Sequence, residues 1–539
     1  YRFDRANPPA GRMWAALGIL PLRPALPMAS TAWTTGDEWT TGQEFLYRNR
    51  AASAETLLAR GRWMTALLSA ALGLLVFLWG RAWLGAWPAV GALAFYTADP
   101  NILAHGSVVT LDMAAAAGVT LTLWLLSRWF ERPAAGRAIA VGVATGLALG
   151  VKFSAAALGP MAFVFALFAS RRGRPSDRPW ADLKVRPYER QDPDRDPGVR
   201  TEYARGLALA AAAGLVTLAL IYRGHLDLYL KGLEIVRVET QGATHPLYIH
   251  GAWTAIAPWY TALLALVLKT PVPTLLLAGL GAGLAVFRRA DRRCLAWLLP
   301  AAVFCVGVSM SNMQMGLRYL LPILPLIHLL AARGLMGFLV GRRGRPSGRP
   351  WADLKVRPYI GIALLAWLAV TSARAHPNYL TYFHEFAGGP SRGYEWLVDS
   401  NYDWGQDLGR LARQWRTAGK PDLSLVYYGM ADAEHFGLRR RDLIPSVGTE
   451  LPDADDVPQA GPMWLAISAS SLQGLDLSQH DLFAWARGRR PLARAGYTIF
   501  VYDVGNDAEA LVKLGDIDRN TDRPKTAAGY YERAIAARP

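Results

Sequence analysis

The chain has 539 residues, of which 52% are hydrophobic and 19% charged, and it contains 20 tryptophans. This composition is too apolar for an ordinary soluble protein and predicts a mainly α fold, a polytopic membrane helix bundle. The net charge of +16 does not indicate nucleic-acid binding, because Lys and Arg lie in short segments between apolar runs. The only cysteines, Cys294 and Cys305, lack metal-site spacing, and a disulfide framework is excluded.

The N-terminal part is polar or amphipathic. Residues 7–22 begin with prolines and continue as an apolar stripe interrupted by Arg12, which predicts a short interfacial helix. Residues 31–61 predict an outward loop with a helix in its second half. The chain opens with Tyr1 in polar sequence and shows no signal peptide, so we expect a segment upstream of it.

Ten apolar runs predict about ten membrane spans. Connections on one side of them carry 24 Lys and Arg, and those on the other side carry 8. The first set, with basic loops at 171–205 and 341–358, should face the cytoplasm, and loops 99–110 and 223–258 should face outward. The runs are 63–79, 86–98, 111–127, 138–150, 153–169, 206–222, 260–286, 294–309, 319–340 and 360–373.

One basic segment occurs twice. Arg171–Tyr188 and Arg342–Tyr359 agree at every position except Asp177 against Gly348. Two short, Pro-rich copies cannot form a solenoid. The segment is either a patch for anionic lipid headgroups or a duplicated element tolerated in two loops, and we favour the second interpretation.

The composition changes after Ala375. Three β-rich runs alternate with helix-like stretches over 375–507, which predicts a small extracytoplasmic α/β domain after the membrane domain of residues 1–374. Residues 508–539 resemble a single tetratricopeptide unit, a helical hairpin that suggests a protein partner. One such unit cannot bury its face alone, so either further repeats follow or it packs on the preceding domain. The β-rich runs are 423–428, 463–468 and 497–502, and the helix-like stretches are 406–417 and 481–487.

Ionisable residues lie at the predicted outward ends of the apolar runs. Such residues are costly beside a bilayer unless they face a water-filled cavity, so we predict that residues 99–112 line an active site. The catalytic candidates are Asp112, His105 and Asp99. Each has a structural alternative: Asp112 as a first-turn helix acid, Asp99 as a turn residue, and His105 as a hydrogen-bonded structural histidine.

Three cations are candidates for binding a donor phosphate. They are Lys152, Arg318 and Lys269, and Arg318 has the fork geometry that suits bidentate phosphate binding. A lysine in such a place can instead extend to the lipid headgroups. The oxygen-rich stretch from Asp399 to Asp403 lacks a complete calcium-loop pattern, and we interpret it as a turn and helix-capping arrangement. We predict no metal site and no firmly implied cofactor.

Five sequence strings resemble bacterial glycosyltransferase family 39, the superfamily of GT-C fold that includes protein O-mannosyltransferases and lipid A aminoarabinose transferase. The resemblance covers about residues 1–505, and its most specific part is 376–411. The strings are DPNILAHGSVVTLD at 99–112, LGVKFSA at 149–155, LKTPVP at 268–273, GLRYLLPILP at 316–325 and HPNYLTYFHEFAGGPSRGYEWLVDSNYDWGQDLGRL at 376–411.

The resemblance implies a multi-pass enzyme of the bacterial cytoplasmic membrane. Its donor would be a polyprenyl-phosphate sugar, and its acceptor a hydroxyl of a glycan, lipid or protein on the extracytoplasmic side, with inversion and a carboxylate general base. The family's acidic pair in the first outward loop would precede Tyr1, and Asp37 with Glu38 comes too late in the family order to replace it. Asn7 stands where many relatives have His.

Two alternatives stay open at this point. The chain could be a membrane transporter or lipid-binding protein without chemistry, although transporter-like hydropathy repeats are not apparent in the sequence. It could also be an inactive fragment that lacks the catalytic Asp. The sugar, the acceptor, the metal requirement and the oligomeric state are not predicted.

Overall fold

The computed structural model describes residues 3–169, 197–242, 246–339, 357–444, 457–459, 461–475, 477 and 479–537. The chain divides into two compact units. A helical unit comprises Tyr1–Pro21, Leu58–Gly242 and Pro258–His376, and a mixed unit comprises Leu22–Leu57, Ala243–Ala257 and Pro377–Pro539.

This division differs in part from the predicted domains. The main boundary lies next to the predicted one at residue 375, but residues 22–57 and 243–257 belong to the mixed unit. We had predicted most of both segments to be loops of the membrane domain. Their membership depends on contacts with residues more than a hundred positions away, such as the hydrogen bond from the Gln43 amide to the Met430 carbonyl.

Helices make up most of the first 375 residues. In chain order they are α1 (Ala10–Ile19), α2 (Thr31–Thr35), α3 (Glu38–Tyr47), α4 (Ala54–Leu84), α5 (Ala86–Thr97), α6 (Pro100–Gly106), α7 (Leu111–Glu131), α8 (Ala135–Leu149), α9 (Leu158–Ala169), α10 (Pro197–Ile221), α11 (Leu226–Gln241), α12 (Thr261–Lys269), α13 (Val272–Phe287), α14 (Leu295–Ser309), α15 (Leu324–Leu339) and α16 (Arg357–Ala375). A hairpin of β1 (Leu247–Ile249) and β2 (Ala252–Thr254) follows α11.

Within the described ranges, five helices are long and apolar enough to cross a membrane. The chain is therefore a mainly helical, multi-pass membrane protein. Three further apolar helices are shorter, so the count of ten spans stays a prediction. The five long helices are Ala54–Leu84, Leu111–Glu131, Thr201–Ile221, Gly316–Phe338 and Pro358–Ala375.

The predicted continuous run over 260–286 is wrong at its centre. Helices α12 and α13 pass the same length and composition test together, but they are bent by 116°. Pro271 lies in the break, and proline lacks the N–H that a continuing helix needs and disfavours helical geometry in the residue before it. The break places the end of α12 in the interior of the helical unit, and its last residue, Lys269, is only 1% exposed to solvent.

Glycines allow helices α13 and α15 to pack with their backbones in close contact. A Cβ atom on Gly281 of α13 would clash with the Leu330 carbonyl oxygen of α15, and one on Gly334 of α15 would clash with the Leu277 carbonyl oxygen. Without a hydrophobic drive between helices in lipid, such close approach of backbones is a main source of association.

Two predicted outward loops contain helices. Residues 99–110 contain α6, which begins after its N-cap Asp99, and residues 223–258 contain α11 and the β1–β2 hairpin. The predicted interfacial helix at 7–22 coincides with α1, where Met13 and Leu17 are exposed. The basic segment at 171–188 and most of its copy at 342–359 lie outside the described residues.

The mixed unit contains a five-stranded sheet. Its order is β4-β3-β5-β7-β6, with β3 parallel to β4 and β5, and β7 antiparallel to β5 and β6. Each predicted β-rich run contains a strand, and the core beside the sheet includes Leu411, Trp415 and Leu425. The elements are α17 (Leu408–Thr417), β3 (Asp422–Val426), β4 (Arg441–Asp442), β5 (Met463–Ser468), α18 (Ala469–Leu472), α19 (Ala484–Arg487), β6 (Ala493–Ala495), β7 (Ile499–Asp503), α20 (Ala508–Asn520) and α21 (Pro524–Ala536).

The C-terminal helices α20 and α21 pack on this sheet. The buried Tyr530 hydroxyl is 2.5 Å from the Ser424 hydroxyl of β3. The Arg523 guanidinium donates to the Asp442 carbonyl at 2.6 Å. Of the two possibilities for the tail, the structure has the second, packing on the preceding residues; its identity as a tetratricopeptide unit stays a prediction.

Candidate active site

Three of the predicted residues meet in the helical unit. Asp112, in the first turn of α7, has a fully buried side chain. Its Oδ1 accepts a hydrogen bond from Lys152 Nζ at 2.6 Å, and its Oδ2 accepts one from Arg318 Nε at 3.1 Å. The Asp112 carboxylate is thus bound to Arg318, which lies 206 positions further along the chain.

Local sequence explains the placement of each member. An acid in the first turn of a helix is favoured by the positive end of the helix dipole. Lys152 directly precedes a 3₁₀ turn, Phe153–Ala157, at the end of α8. Arg318 lies in a 3₁₀ segment, Gly316–Ile323, that leads into α15. These connections bring two basic side chains to the start of α7.

The cluster carries a net positive charge, because one carboxylate faces two cations. The side chains of Lys152 and Arg318 remain 15% and 23% exposed, whereas that of Asp112 has no exposure. Lys152 Nζ also lies 4.4 Å from the centre of the Tyr319 ring, a cation–π contact. Such an arrangement can bind an anion on the exposed sides of the two basic groups.

Asp99 and Lys269 belong to a second buried cluster. Asp99 Oδ1 accepts from the backbone and side-chain amides of Asn101, at 2.8 and 2.9 Å. Its Oδ2 is 2.9 Å from His328 Nε2 of α15. The Asn101 amide also donates to the Lys269 carbonyl at 2.7 Å, at the end of α12.

His105 connects the two clusters. It lies near the end of α6, is 2% exposed, and is close enough to interact electrostatically with Asp112, Arg318 and Lys269. The structure therefore places all six predicted residues in the helical unit, three in one cluster, two in another and one between them.

His328 was missed by sequence reasoning. It stands alone in an apolar run, where a histidine has no sequence neighbour that would reveal its partner. The available signal was its position in a predicted span, since ionisable groups inside membranes are rare and usually paired.

The remaining polar candidates have structural roles. Asp37 caps α3 by accepting from the Trp39 and Thr40 amides, and hydrogen bonds from Thr40 lower the pKa of its carboxyl group. Asp399 accepts from the Tyr428 hydroxyl, and Asp403 accepts from the backbone amides of residues 405 and 470. Within the described part of the chain, no three His, Cys, Asp or Glu side chains are placed to hold a metal ion.

A family model decides the class of protein. Residues 56–185 match the family of dolichyl-phosphate-mannose-protein mannosyltransferases. The chain is a membrane glycosyltransferase. The resemblance predicted from the sequence is thereby confirmed. The matched segment of this glycosyltransferase contains Asp99, His105, Asp112 and Lys152, which are four of the six candidate residues.

Two solved structures are similar at low identity. ArnT from Cupriavidus metallidurans, bound to undecaprenyl phosphate, is 15% identical, with 93% of this chain and 88% of that chain covered, at a TM-score of 0.43. AglB from Archaeoglobus fulgidus, an archaeal oligosaccharyltransferase in complex with an inhibitory peptide and a dolichol-phosphate, is 10% identical, with 74% and 54% covered, at a TM-score of 0.39. TM-scores below 0.5 do not establish a common fold. No curated protein matches the glycosyltransferase at a significant level.

Proposed function

We propose that this glycosyltransferase moves a sugar from a polyprenyl-phosphate-linked donor to an acceptor hydroxyl of a glycan, lipid or protein. The observation that carries the proposal is the cluster of one buried carboxylate and two partly exposed cations, Asp112 with Lys152 and Arg318. The matched family supports it, because that family is named for a dolichyl-phosphate-linked mannose donor.

Lys152 and Arg318 bind the donor phosphate in this proposal, and Lys269 is a further candidate for that role. The acceptor oxygen attacks the anomeric carbon from the opposite face, so the configuration inverts. The bond from that carbon to the phosphate oxygen breaks, and its electron pair stays on the lipid phosphate. Cations aimed at this developing charge replace a general acid.

Asp112 positions the two cations rather than removing the acceptor proton. Both of its oxygens accept hydrogen bonds from basic groups, so the carboxylate is already engaged by the two cations that it holds. Asp99 is similarly engaged by Asn101 and His328. A carboxylate general base takes the hydroxyl proton, as the family resemblance implies, and we assign none of the six candidate residues to that role; His105 contacts donor or acceptor.

The reaction takes place on the outer side of a bacterial cytoplasmic membrane in this proposal, and the mixed unit is extracytoplasmic. The support is the excess of Lys and Arg in the connections opposite the candidate site, 24 against 8. The C-terminal helices could add a protein partner only through surface that their packing on the sheet leaves open.

The test is transfer by the full chain in liposomes that contain a radiolabelled polyprenyl-phosphate sugar and native envelope lipids and proteins as acceptors. We expect Lys152→Ala and Arg318→Ala to lower transfer on the order of 100-fold, as removal of a charge-stabilising group does. Lys231→Ala is the matched control, because Lys231 also pairs with an aspartate but is 71% exposed. Variants with wild-type rates would overturn the site, and substrate-dependent flux without transfer would overturn the function.

A further inference from the structure

The Asp99–His328 contact joins two helices deep in the helical unit. Both side chains have no exposure, and the distance between His328 Nε2 and Asp99 Oδ2 is 2.9 Å. Because the carboxylate accepts, Nε2 carries the proton, and His328 Nδ1 has no hydrogen-bond partner within the described ranges. A buried ring nitrogen without a hydrogen-bond partner costs free energy, which other contacts of the native fold must offset.

Asp99 anchors the beginning of α6. Its carboxylate accepts the Asn101 backbone amide and so caps the helix, while His328 holds the other oxygen. Helix α6 has seven residues, from Pro100 to Gly106, and His105 is at its far end. Over so short a helix, a shift at the N-cap moves the last turn with it.

The same cluster holds the broken membrane helix. In a continuing helix the Lys269 carbonyl would accept from residue 273, but Pro273 has no N–H, so this carbonyl needs another partner. The Asn101 side-chain amide supplies one by donating to the Lys269 carbonyl at 2.7 Å. Asn101 is itself held by Asp99, so His328, Asp99 and Asn101 form one connected chain of contacts that ends at Lys269.

We propose that His328 is a positioning residue for glycosyl transfer, acting through Asp99 to fix α6 and the end of α12 and thereby placing His105 and Lys269 beside the Asp112–Lys152–Arg318 cluster. This inference rests on the proposed function for its kinetic consequence. Lys152 and Arg318 lie on other segments and still bind the donor phosphate, so loss of His328 lowers kcat more than it raises KM for the lipid donor. The displacement of Lys269 accounts for the smaller rise in KM.

Six variants of the full chain separate positioning from stability. In His328→Leu the Asp99 carboxylate loses a donor, and in His328→Gln an amide N–H replaces the ring N–H. We expect kcat to fall at least tenfold in the first, in line with the effect of misplaced catalytic groups, and to stay within threefold of wild type in the second. Arg333→Met is the control: Arg333 lies on α15, as His328 does, and the substitution breaks its bidentate pair with Asp291 of the segment Arg289–Cys294. We expect little change in kcat for folded enzyme. The remaining variants are His105→Ala alone, and His105→Ala combined with His328→Leu or with Arg333→Met.

The double variant provides the decisive comparison. Because His328 acts in part through His105, the loss of kcat in the double variant should be clearly smaller than the product of the losses in the two single variants. The effects of Arg333→Met and His105→Ala should multiply. A wild-type kcat in His328→Leu, or multiplying effects in the double variant, would overturn the inference.

A second readout does not depend on activity. Ala104 of α6 is 5% exposed, so a cysteine placed there, in a background in which Cys294 and Cys305 are replaced by Ala, should react slowly with a maleimide. We expect at least tenfold faster labelling in His328→Leu and no change in Arg333→Met. Equal labelling rates would overturn the positioning role, whereas absence of transfer by wild type alongside faster labelling in His328→Leu would refute only the proposed function.

Discussion

A carboxylate between two cations determines the electrostatics of the candidate site. Asp112 is buried, and removing one member of a buried ion pair typically costs about 3–5 kcal/mol because an uncompensated charge remains. Loss of the Asp112 charge would leave both Lys152 and Arg318 without a counter-ion at this site, and the two positive charges would then repel each other. Asp112 thus keeps two like charges close enough to bind one phosphate.

Asp112→Asn tests this role. We expect a loss of transfer on the order of 100-fold and a lower melting temperature, because the neutral amide cannot balance the two cations. Steady-state kinetics and thermal unfolding in detergent give the two values. Asp227→Asn, which removes the exposed partner of Lys231, is the control and should leave both values near wild type. Normal transfer by Asp112→Asn would contradict the positioning role.

Asp403 of the mixed unit shows the effect of burial on a carboxyl group. Burial raises the pKa of its carboxyl group from 3.8 to about 7, although the amides of Ser470 and Gly405 donate to its two oxygens and oppose the shift. The folded state therefore binds a proton between pH 4 and 7 that the unfolded state has released. The resulting stabilisation is full below pH 3.8 and is lost as pH rises through about 7.

The expected result is a loss of about 2 kcal/mol in local stability between pH 5 and 8, relative to Asp403→Asn. Hydrogen exchange of the β5 amides in the full chain measures it. Asp503→Asn is the matched control, because Asp503 also accepts the amide of the second residue after it but is exposed. If wild type and Asp403→Asn follow the same pH dependence, the raised pKa is wrong.

Sequence alone could identify most residues of the site but not their contacts. Asp112, Lys152 and Arg318 were predicted because charged residues at the ends of apolar runs are conspicuous. The sequence does not show that one carboxylate joins the two cations, or that Asp99 groups with Lys269, because both arrangements depend on tertiary contacts. The only sequence signal of His328 was its position in a predicted span, and that signal does not reveal its partner Asp99.

At the scale of elements, the packing of α13 against α15 depends on two glycines. Gly281 and Gly334 face the backbone of the opposite helix so closely that an added methyl group would clash with a carbonyl oxygen. Because α13 continues from the broken end of α12, this crossing helps to hold the segment that carries Lys269.

Gly281→Ala should therefore lower the free energy of unfolding by about 1–3 kcal/mol, the usual cost of overpacking. Gly279→Ala, on the same helix, is the control: an added Cβ meets nothing within 4 Å there, and alanine favours helix over glycine by about 1 kcal/mol. Thermal unfolding in detergent measures both. Equal melting temperatures for the two variants would show that the crossing is not close-packed.

The predicted elements agree with the structure where periodicity or composition is strong. The apolar runs contain helices and the three β-rich runs contain strands. The break between α12 and α13 was missed because apolar content continues across it, although Pro271 and Pro273 marked the place. Helix α11 was missed because its surroundings resemble a polar loop.

At the scale of the whole molecule, the distribution of basic residues predicts orientation. Loops with many Lys and Arg are retained in the cytoplasm, and residues 171–205 alone carry ten. The mixed unit should then lie outside. Its membership could not be predicted in full, because residues 22–57 and 243–257 join it through contacts distant in sequence.

Cysteine labelling in intact cells tests this orientation. In a background with Cys294 and Cys305 replaced by Ala, a membrane-impermeant maleimide should label Ser391→Cys, which is exposed in the mixed unit, and should not label Ser176→Cys in the first basic loop. Permeabilised cells, in which both sites should react, provide the control. The reverse pattern in intact cells would invert the proposed topology.

The most direct test of the account is a cryo-electron microscopy structure of the full chain with undecaprenyl phosphate bound. We expect the phosphate within hydrogen-bond distance of both Lys152 Nζ and the Arg318 guanidinium, with Asp112 still between the two cations. A phosphate bound elsewhere, with Lys152 and Arg318 directed at lipid headgroups, would contradict it.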